Sequence, residues 1–555
     1  MSFLHAKEAL FAVGLCLAAI LILWRGRLTT DGLRAFLPLW VLTITGVVIH
    51  LLVRPCRVPE DAIIALARQA LVLTGVALAF DLLAGTQWRK RMMLAIGIGT
   101  ALTALFGLLQ YAGLVSFMFP RFPGYHQPIY SVFGNQDLYG GFLVLGLPVW
   151  FDRFLRKKKT DGLTLLALAL IVPGLLLSGC RSAWLATIPA VMLAVPVQGH
   201  FPKTARLGTL VLALAIGTLV IAPAATIGRI THTFASDDEG TRARLWFWDG
   251  TVRMVRDQPF VGVGPGNYAY WSPSYLGEAL HAPDGDDHYH NERMTDHPHS
   301  EPLRLFAETG FLGFTLALWM LWRIPRRRGP EWGGLVALFV FSLFNGALES
   351  LPHAFIGVLY IGMLLATPNS PKNLPEYPAT AVESRLLPFG LTGLSFALYA
   401  FHAWAVLLPS HWLRAAEDLN LAGKPALSAY ERVLAHGWVS AAAHEKYAIA
   451  LAEAGRNPEA KQQFEAALDG ADWGQLYLGL GSLAVESGDL EAARDWLHEC
   501  LWRWPSSPHA WQLLLQATPP KEQGKLMPEA RRWLKPNEYD ELVRKVGGLI
   551  PEGGP

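Results

Sequence analysis

The stretch "DHPHSEPLRLFAETGFLGFT", residues 296–315, places titratable side chains directly before an apolar segment. The second of its two histidines, His299, can gain or lose a proton near neutral pH, as a general acid or base must. Ser300 is a suitable helix N-cap, Glu301 suits the positive end of a helix dipole, and Pro302 is favoured at the first helical position. The pattern therefore predicts a capped helix that holds His299 at one end of an apolar segment.

Arginines could supply complementary chemistry toward an anion. Arg242 and Arg244 lie in "GTRARLWFWDG", and Arg181 lies in "LSGCRSAWLA". A guanidinium stays charged and offers a planar fork that matches two phosphate oxygens. An amphipathic helix is predicted from Thr241 to Asp257, and its apolar positions 245, 248, 252 and 255 share one face that could lie on a membrane surface. The alternative for each arginine is a cation at the membrane surface with no further role.

A metal site is the competing interpretation of the histidines. The candidate ligands are Asp286, Asp287, His288, His290, Asp296, His297 and His299. Their spacing matches no closed zinc pattern, and the 4 cysteines are scattered without a metal-ligand or disulfide spacing. We therefore expect no metal and no cofactor. His297 and Glu301 are second candidates for catalysis, and their alternative roles are those of a loop residue and a capping residue.

The chain that must position these residues is long and apolar. It has 555 residues, of which 52% are hydrophobic and 17% charged, and its mean hydropathy is +0.28. This composition is typical of a polytopic membrane protein, and a net charge of +2 gives no reason to expect nucleic acid as a partner. We predict an all-α membrane helix bundle of about 12 spans. The apolar runs are 9–24, 35–53, 62–84, 92–115, 132–151, 162–178, 182–198, 207–225, 303–322, 332–348, 353–367 and 387–408.

Basic residues in the connections predict the orientation of the bundle. The basic segments at Arg25/Arg27, 89–91, 153–159, Lys203/Arg206 and 323–328 fall on one side, which should be cytoplasmic. The long hydrophilic loop 226–302 and everything after residue 408 then lie on the outer side. The same count places the N-terminus outside, and it treats residues 9–24 as a retained membrane helix instead of a cleaved signal peptide.

The tail, from about 411 to 555, differs in composition and is rich in Ala, Leu, Glu and Arg. Gly423, Gly455 and Gly488 recur at periods of 32 and 33 residues, and "GRNPEAKQQFEAAL" is in register with "GDLEAARDWLHECL". The aligned pairs are Ala460/Ala493, Phe464/Leu497 and Ala467/Cys500. The pattern resembles tetratricopeptide repeats, whose small residues let paired helices pack closely and whose surfaces bind protein partners. A plain helical hairpin is the alternative.

The polar stretch around His299 also resembles a family motif. His299–Ser300 is followed after nine residues by Gly310, and then by Gly313 and Thr315, in the pattern H-[NSQ]-x9-G-x-x-G-x-[GTY]. This pattern resembles that of the bacterial O-antigen ligase and polymerase family.

Three further segments resemble the same family and occur in the same order. Arg244 and Trp248 are four residues apart, Pro259 lies eleven further on, and "GVGPGNY" follows. "LSGCRSAWLA" is similar to a Ser-Gly-Ser-Arg segment, with Cys180 in place of serine. "FGNQDLYGGFL" is similar to a Gly-x-x-Asn stretch, with Asp137 where an asparagine is common. The resemblance covers about residues 130–320 and does not extend to the tail.

The resemblance implies a GT-C-like fold in the bacterial inner membrane, with the long loop and the tail in the periplasm. It also implies metal-free transfer of a glycan from a polyprenyl-diphosphate carrier to an acceptor hydroxyl. Under it we expect His299, Arg244 and Arg181 to be catalytic. The substrate-binding residues would be Asn135, Arg242, Asn267 and Glu301. His299 would either deprotonate the acceptor or, when protonated, bind the diphosphate.

Several functional alternatives stay open. The acceptor of an O-antigen ligase or polysaccharide polymerase is the lipid A core or a growing glycan, whereas a protein acceptor would define a protein O-oligosaccharyltransferase. A polysaccharide exporter would show a repeat between the two halves of the membrane region, which the sequence lacks. A membrane-anchored repeat scaffold leaves the His299, Arg244 and Arg181 motifs unexplained.

The predicted division is 1–225 and 303–410 for membrane helices, 226–302 for a catalytic loop and 411–555 for the repeat domain.

Overall fold

The computed structural model describes residues 86–115, 129–156, 161–194, 239–283, 285, 295, 297–366, 403–437 and 439–546, together with isolated residues elsewhere. Within these residues every regular element is a helix, which agrees with the predicted all-α class. The predicted spans at 9–24, 35–53, 62–84 and 207–225 lie outside the described ranges, as does the predicted span at 387–408 up to residue 402.

Nine helices are described between residues 86 and 366. They are α1 Thr86–Tyr111, α2 Gln136–Arg156, α3 Gly162–Leu177, α4 Arg181–Ala194, α5 Glu239–Asp257, α6 Tyr268–His281, α7 Glu301–Arg323, α8 Pro330–Ser342 and α9 Leu351–Leu365. Short 3₁₀ turns occupy Ser131–Phe133 and Ala347–Glu349. Helices α1 to α4, α8 and α9 share one apolar core that includes Trp150, Phe341 and Tyr360, each fully buried.

The apolar helices correspond to seven of the predicted membrane runs. Three of the described helices are long and apolar enough to cross a membrane: Gln87–Tyr111, Gln136–Arg156 and Glu301–Arg323, with 25, 21 and 23 residues. Helices α3, α4, α8 and α9 are apolar but shorter. Helix α7 exposes Phe311, Leu312 and Trp322 to its surroundings, as a lipid-facing helix does. The total of about 12 spans stays a prediction.

Basic and acidic residues pair at one end of the bundle. Arg89 at the start of α1 lies 2.7 Å from Glu331 at the start of α8. Arg153 at the end of α2 lies 2.6 Å from Asp161, whose other oxygen caps α3 by accepting from the N–H of Thr164 at 2.9 Å. Arg89 and Arg153, from two of the basic segments that the sequence predicts to be cytoplasmic, therefore lie at the same end of the bundle.

The "GVGPGNY" turn docks onto a break in α7. Gly310 has φ +63° and interrupts the helix, so the following N–H groups are free to bond elsewhere. The N–H of Phe311 donates to the carbonyl of Pro259 at 2.7 Å, and the N–H of Val263 donates to the carbonyl of Ala307 at 2.8 Å. A Cβ at position 310 would overlap the backbone of Phe260. The glycine of the motif is thus required by the left-handed backbone and by the close approach of the turn.

The predicted amphipathic helix exists, but a different face of it packs. Helix α5 begins two residues earlier than predicted and ends at Asp257 as predicted. Trp246, Phe247, Thr251 and Met254 are buried, whereas Leu245 of the predicted apolar face is 53% exposed. The sequence assigned the apolar face to a membrane surface, and the side that is buried within the protein contacts α6, α7 and the tail. Contact of Leu245 with a membrane surface stays a prediction.

The tail is a succession of short helices. They are α10 Leu408–Leu421, α11 Leu427–Leu434, α12 Ala441–Glu453, α13 Asn457–Leu468, α14 Gly474–Ser487, α15 Leu490–Arg503, α16 Pro508–Ala517, α17 Pro520–Trp533 and α18 Pro536–Val546, preceded by a π-helical turn at Ala403–Leu407. Gly423, Gly455 and Gly488 all have positive φ, between +65° and +79°, at the ends of helices.

The end of the tail packs on the long loop. Trp246 of α5 and Leu280 of α6 belong to the same apolar cluster as Trp511 and Trp533 of the tail. His281, at the end of α6, stacks on Trp502 with ring centroids 4.4 Å apart. Gly277 allows this approach, because a Cβ there would overlap the carbonyl oxygen of Trp502. The loop helices are therefore held between the bundle and the tail.

Candidate functional site

Polar contacts join several elements at the end of the bundle opposite to Arg89 and Arg153. The amide of Asn345, after α8, donates to the hydroxyl of Ser182 at the start of α4, at 2.6 Å. His353, in α9, donates from Nε2 to the carbonyl of Leu138 in the first turn of α2, at 3.0 Å. The end of α8 and the starts of α2, α4 and α9 therefore meet there. The start of α7 joins them, because Glu301 accepts from the N–H of Leu348, in the turn after α8, at 2.7 Å.

Arg244 reaches this meeting point from the second turn of α5. Its Nη2 lies 3.6 Å from Oδ2 of Asp137, and about a quarter of each side chain is exposed (24% and 25%). Its Nη1 makes a long contact of 3.4 Å with the carbonyl of Gly240. Its Nε is buried and has no hydrogen-bond partner among the described residues. A partly exposed guanidinium that has a buried, unmatched Nε–H and one distant carboxylate can bind an anion with several oxygens.

His299 lies against the same helix in an unusual backbone conformation. Its φ is +52°, a left-handed value that costs a non-glycine residue of order 1–3 kcal/mol. Its ring stacks on Phe247, with centroids 5.6 Å apart and planes inclined by 18°. Burial, with smaller contributions from the charges of His297 and Arg244, lowers the pKa of His299 from 6.5 to about 3. The imidazole is therefore neutral at neutral pH and can accept a proton.

The residues at the start of α7 occupy the predicted positions, but the predicted N-cap residue makes no capping hydrogen bond. Ser300 is at the N-cap position and Pro302 is in the first turn, as predicted. The side chain of Ser300 makes no capping hydrogen bond. The segment before it is held instead by Trp248, whose Nε1 donates to the carbonyl of Pro298 at 3.1 Å.

Glu301 makes hydrogen bonds within the protein through both carboxylate oxygens. Its Oε1 accepts from the N–H of Leu348 at 2.7 Å, and its Oε2 accepts from Nη2 of Arg304 at 2.9 Å. Nη1 of Arg304 also donates to Oε1 of Glu349 at 2.6 Å. Only 6% of Glu301 is exposed. This carboxylate links the start of α7 to the turn after α8, and the proposed contact with substrate stays a prediction.

Arg181 and Cys180 lie at the junction of α3 and α4, beside the start of α2. Cys180 is fully buried, and its Sγ lies 3.2 Å from the hydroxyl of Ser182. A Cβ on Gly140 would approach the Cβ of Cys180 to 2.7 Å, so α2 and this junction are in close contact. Arg181 is the first residue of α4 and is half-buried, at the end of the bundle that carries Asp137.

The other predicted substrate-binding residues occupy three separate positions. Asn135 is exposed, and its Oδ1 accepts from the N–H groups of Asp137 and Leu138 at 2.7 and 3.1 Å, so it caps α2. Asn267 is fully buried at the start of α6 and donates to the carbonyl of Pro265 at 3.2 Å. Arg242 is half-buried on α5, two residues before Arg244.

Most candidate metal ligands fall outside the described residues. Positions 286–294 and 296 are not described, so Asp286, Asp287, His288 and His290 have no assigned geometry. Among the residues that the structure describes, no three His, Cys, Asp or Glu side chains are grouped as metal ligands.

Three polar residues of this region were missed by the sequence analysis: Arg304, Asn345 and Glu349. Arg304 offered a signal, because a charged residue within an apolar run is costly unless it has a partner. Glu349 and Asn345 offered none, since they lie in a short turn between apolar segments.

One comparison with known proteins found a match. Residues 166–318 match the family model described as O-Antigen ligase, a stretch that includes Arg181, Arg244 and His299. No curated protein and no solved structure matches the chain. The match supports a membrane protein of the O-antigen ligase and polymerase class, whose members transfer glycans enzymatically.

Proposed function

We propose that this protein is an inner-membrane glycosyltransferase that moves a glycan from polyprenyl diphosphate to an acceptor hydroxyl. The observation that carries the proposal is the proximity of Arg244 and His299 on one side of α5. Arg244 has an unmatched buried N–H, and His299 has a depressed pKa of about 3. Both residues lie within the stretch that matches the O-antigen ligase family.

The leaving group is the chemical reason for the arginine. When the acceptor oxygen attacks the anomeric carbon, the bond from that carbon to the diphosphate oxygen breaks and negative charge grows on the diphosphate. A fixed guanidinium that meets this charge stabilises the transition state more than the ground state. Arg244 is the first candidate for this role. Arg181 is the second, because it lies beside α2 at the junction of α3 and α4, within the stretch that matches the family model.

His299 takes the proton of the acceptor hydroxyl in this proposal. An imidazole that is neutral at the working pH can accept a proton directly. A pKa of about 3 makes the imidazole a weak base in the empty site. The bound diphosphate brings negative charge beside it, and an opposite charge raises the pKa of an imidazole. Donor binding would therefore strengthen the base. A protonated His299 that binds the diphosphate is disfavoured by the same burial.

The tail favours a polymeric or protein acceptor over the lipid A core. Its end contacts α6, next to the helix that carries Arg244. The residues that align at a period of 33 in the sequence are buried in both copies: Ala460/Ala493, Phe464/Leu497 and Ala467/Cys500. This burial supports the proposed tetratricopeptide-like repeats, and such repeats present extended surfaces to a partner. A protein O-oligosaccharyltransferase is the second candidate for this reason.

Two experiments test the proposal in cells. The first experiment is the glycan profile of a deletion strain. If the protein is a ligase, the lipopolysaccharide loses its long glycan; if it is a polymerase, the secreted polymer disappears. If it is a protein transferase, both stay unchanged and a glycoprotein disappears. Labelling tests the side of the membrane. Arg256→Cys on α5 and Lys461→Cys on the tail should react with an impermeant thiol reagent before lysis, whereas Arg327→Cys at the opposite end should react only afterwards. Reaction of the tail site only after lysis would contradict the proposed periplasmic tail.

A further inference from the structure

We propose that His297 is a positioning residue, which holds the backbone of His299 in its left-handed conformation, and that Glu349 and Arg304 orient the ring of His297. This inference rests on the proposed role of His299 in glycosyl transfer. His297 lies just before α7, Arg304 lies in the first turn of α7, and Glu349 lies in the turn after α8.

The backbone of His299 requires external support. Its φ of +52° is uncommon for a residue other than glycine, so contacts with its neighbours must help to stabilise it. The N–H of His299 donates to Nδ1 of His297 at 3.0 Å. The two rings lie edge to face, with centroids 4.2 Å apart. The side chain of His297 thus holds both the backbone and the ring of His299.

The same hydrogen bond determines which nitrogen of His297 carries its proton. Nδ1 accepts from a backbone N–H, so the ring proton of the neutral imidazole is on Nε2. Nε2 lies 3.6 Å from Oε2 of Glu349, a carboxylate that favours this tautomer. Protonation of Nδ1 would remove the acceptor and release the N–H of His299.

Glu349 is itself held by a half-buried arginine. Nη1 of Arg304 donates to Glu349 at 2.6 Å, and Nη2 donates to Glu301 at 2.9 Å. Glu301 also accepts from the N–H of Leu348. The arginine therefore fixes the turn at Ala347–Glu349 against the first turn of α7. The groups that face His299 are then the ring of His297, the charge of Arg244 and the apolar ring of Phe247.

Asparagine and glutamine variants separate positioning from mere packing. In His297→Asn the amide oxygen replaces Nδ1 and can accept the N–H of His299, whereas in His297→Gln the amide lies at the position of Nε2 and cannot. We expect His297→Gln and His297→Ala to lose roughly ten- to a hundredfold in kcat with little change in the KM of the donor, the effect of a misplaced catalytic group. We expect His297→Asn to retain most of the kcat.

The test is transfer from a polyprenyl-diphosphate glycan by purified variants, with the folded fraction measured by size-exclusion chromatography in detergent. Equal kcat values for the Asn and Gln variants would overturn the inference, as would a change confined to KM. His299→Ala is measured in parallel. If it is inactive while His297→Gln is fully active, only the positioning role fails. If His299→Ala keeps normal activity, the proposed role of His299 itself fails.

Discussion

The guanidinium of Arg244 lies 3.6 Å from the carboxylate of Asp137, and this pair joins the loop helix α5 to the first turn of α2. The separation is longer than a hydrogen bond, so the ion pair holds the arginine loosely. Asp137 stands where the related motif commonly has an asparagine. In the empty site, the carboxylate is therefore in a position to compete with a diphosphate for Arg244.

Asp137→Asn should improve donor binding, because it removes this competing charge while keeping the size of the side chain. A partly exposed ion pair contributes about 0.2–1 kcal/mol, so the KM of the donor should fall by a factor of roughly 1.4 to 5. The control is Asp249→Asn, which removes the charge of an acidic residue on α5 that pairs with Arg253 instead of Arg244. A KM that stays constant or rises in Asp137→Asn would show that the carboxylate does not compete.

The pH dependence of kcat/KM reports the titration of His299 in the free enzyme. With a pKa of about 3, the imidazole stays neutral well below pH 6.5, so activity limited by this base should persist as the pH is lowered from 7 to 5. An acid limb near pH 6.5 would show that the ring is exposed.

The depressed pKa of His299 also makes stability depend on pH. Between pH 3 and 6.5, His299 binds a proton in the unfolded chain more often than in the folded protein. The contribution of His299 to stability is therefore complete above the unfolded pKa and is lost as the pH falls toward the folded pKa.

Gly310→Ala should disrupt the contact between the "GVGPGNY" turn and α7. The substitution adds a Cβ at φ +63° and places it against the backbone of Phe260. We expect a lower melting temperature and a loss of transfer activity, since the turn connects α5 to α6. Gly99→Ala on α1 is the matched control, because its Cβ would have no neighbour within 4 Å. Equal melting temperatures for the two variants would contradict the assigned role of Gly310.

Gly277→Ala should loosen the tail from the loop, because the added Cβ would overlap the carbonyl oxygen of Trp502. Limited proteolysis should then cut between the bundle and the tail faster than in the wild type. Gly524→Ala on α17 adds its Cβ into open space, and in a helix it should stabilise by about 0.5–1 kcal/mol. Unchanged proteolysis of Gly277→Ala would mean that the contact with Trp502 contributes little to docking.

Local signals predicted the helices and part of the site. The cap residues at 300–302 predicted the start of α7, and the apolar period predicted α5 to within two residues at its start. Both features depend on neighbours in the sequence, so both are readable from it.

Long-range contacts were not predictable in the same way. The packed face of α5 depends on Leu276 in α6 and on the end of the tail, which the sequence places far apart. The bond between Arg304 and Glu349 spans 45 residues, and that between Asn345 and Ser182 spans 163. Such pairs depend on how the helices assemble, and no local pattern specifies them.

Transfer of a glycan from a purified polyprenyl-diphosphate donor by wild-type, Arg244→Lys and His299→Ala protein tests the central claim most directly. Lysine keeps the charge but lacks the planar fork, so Arg244→Lys should raise the barrier by about 2–4 kcal/mol, and His299→Ala should lose roughly a hundredfold. Arg253→Lys, on the same helix but paired with Asp249 and Glu278 at the surface, should keep its activity. Near-normal transfer by both Arg244→Lys and His299→Ala, in protein that folds and inserts, would contradict the proposed mechanism.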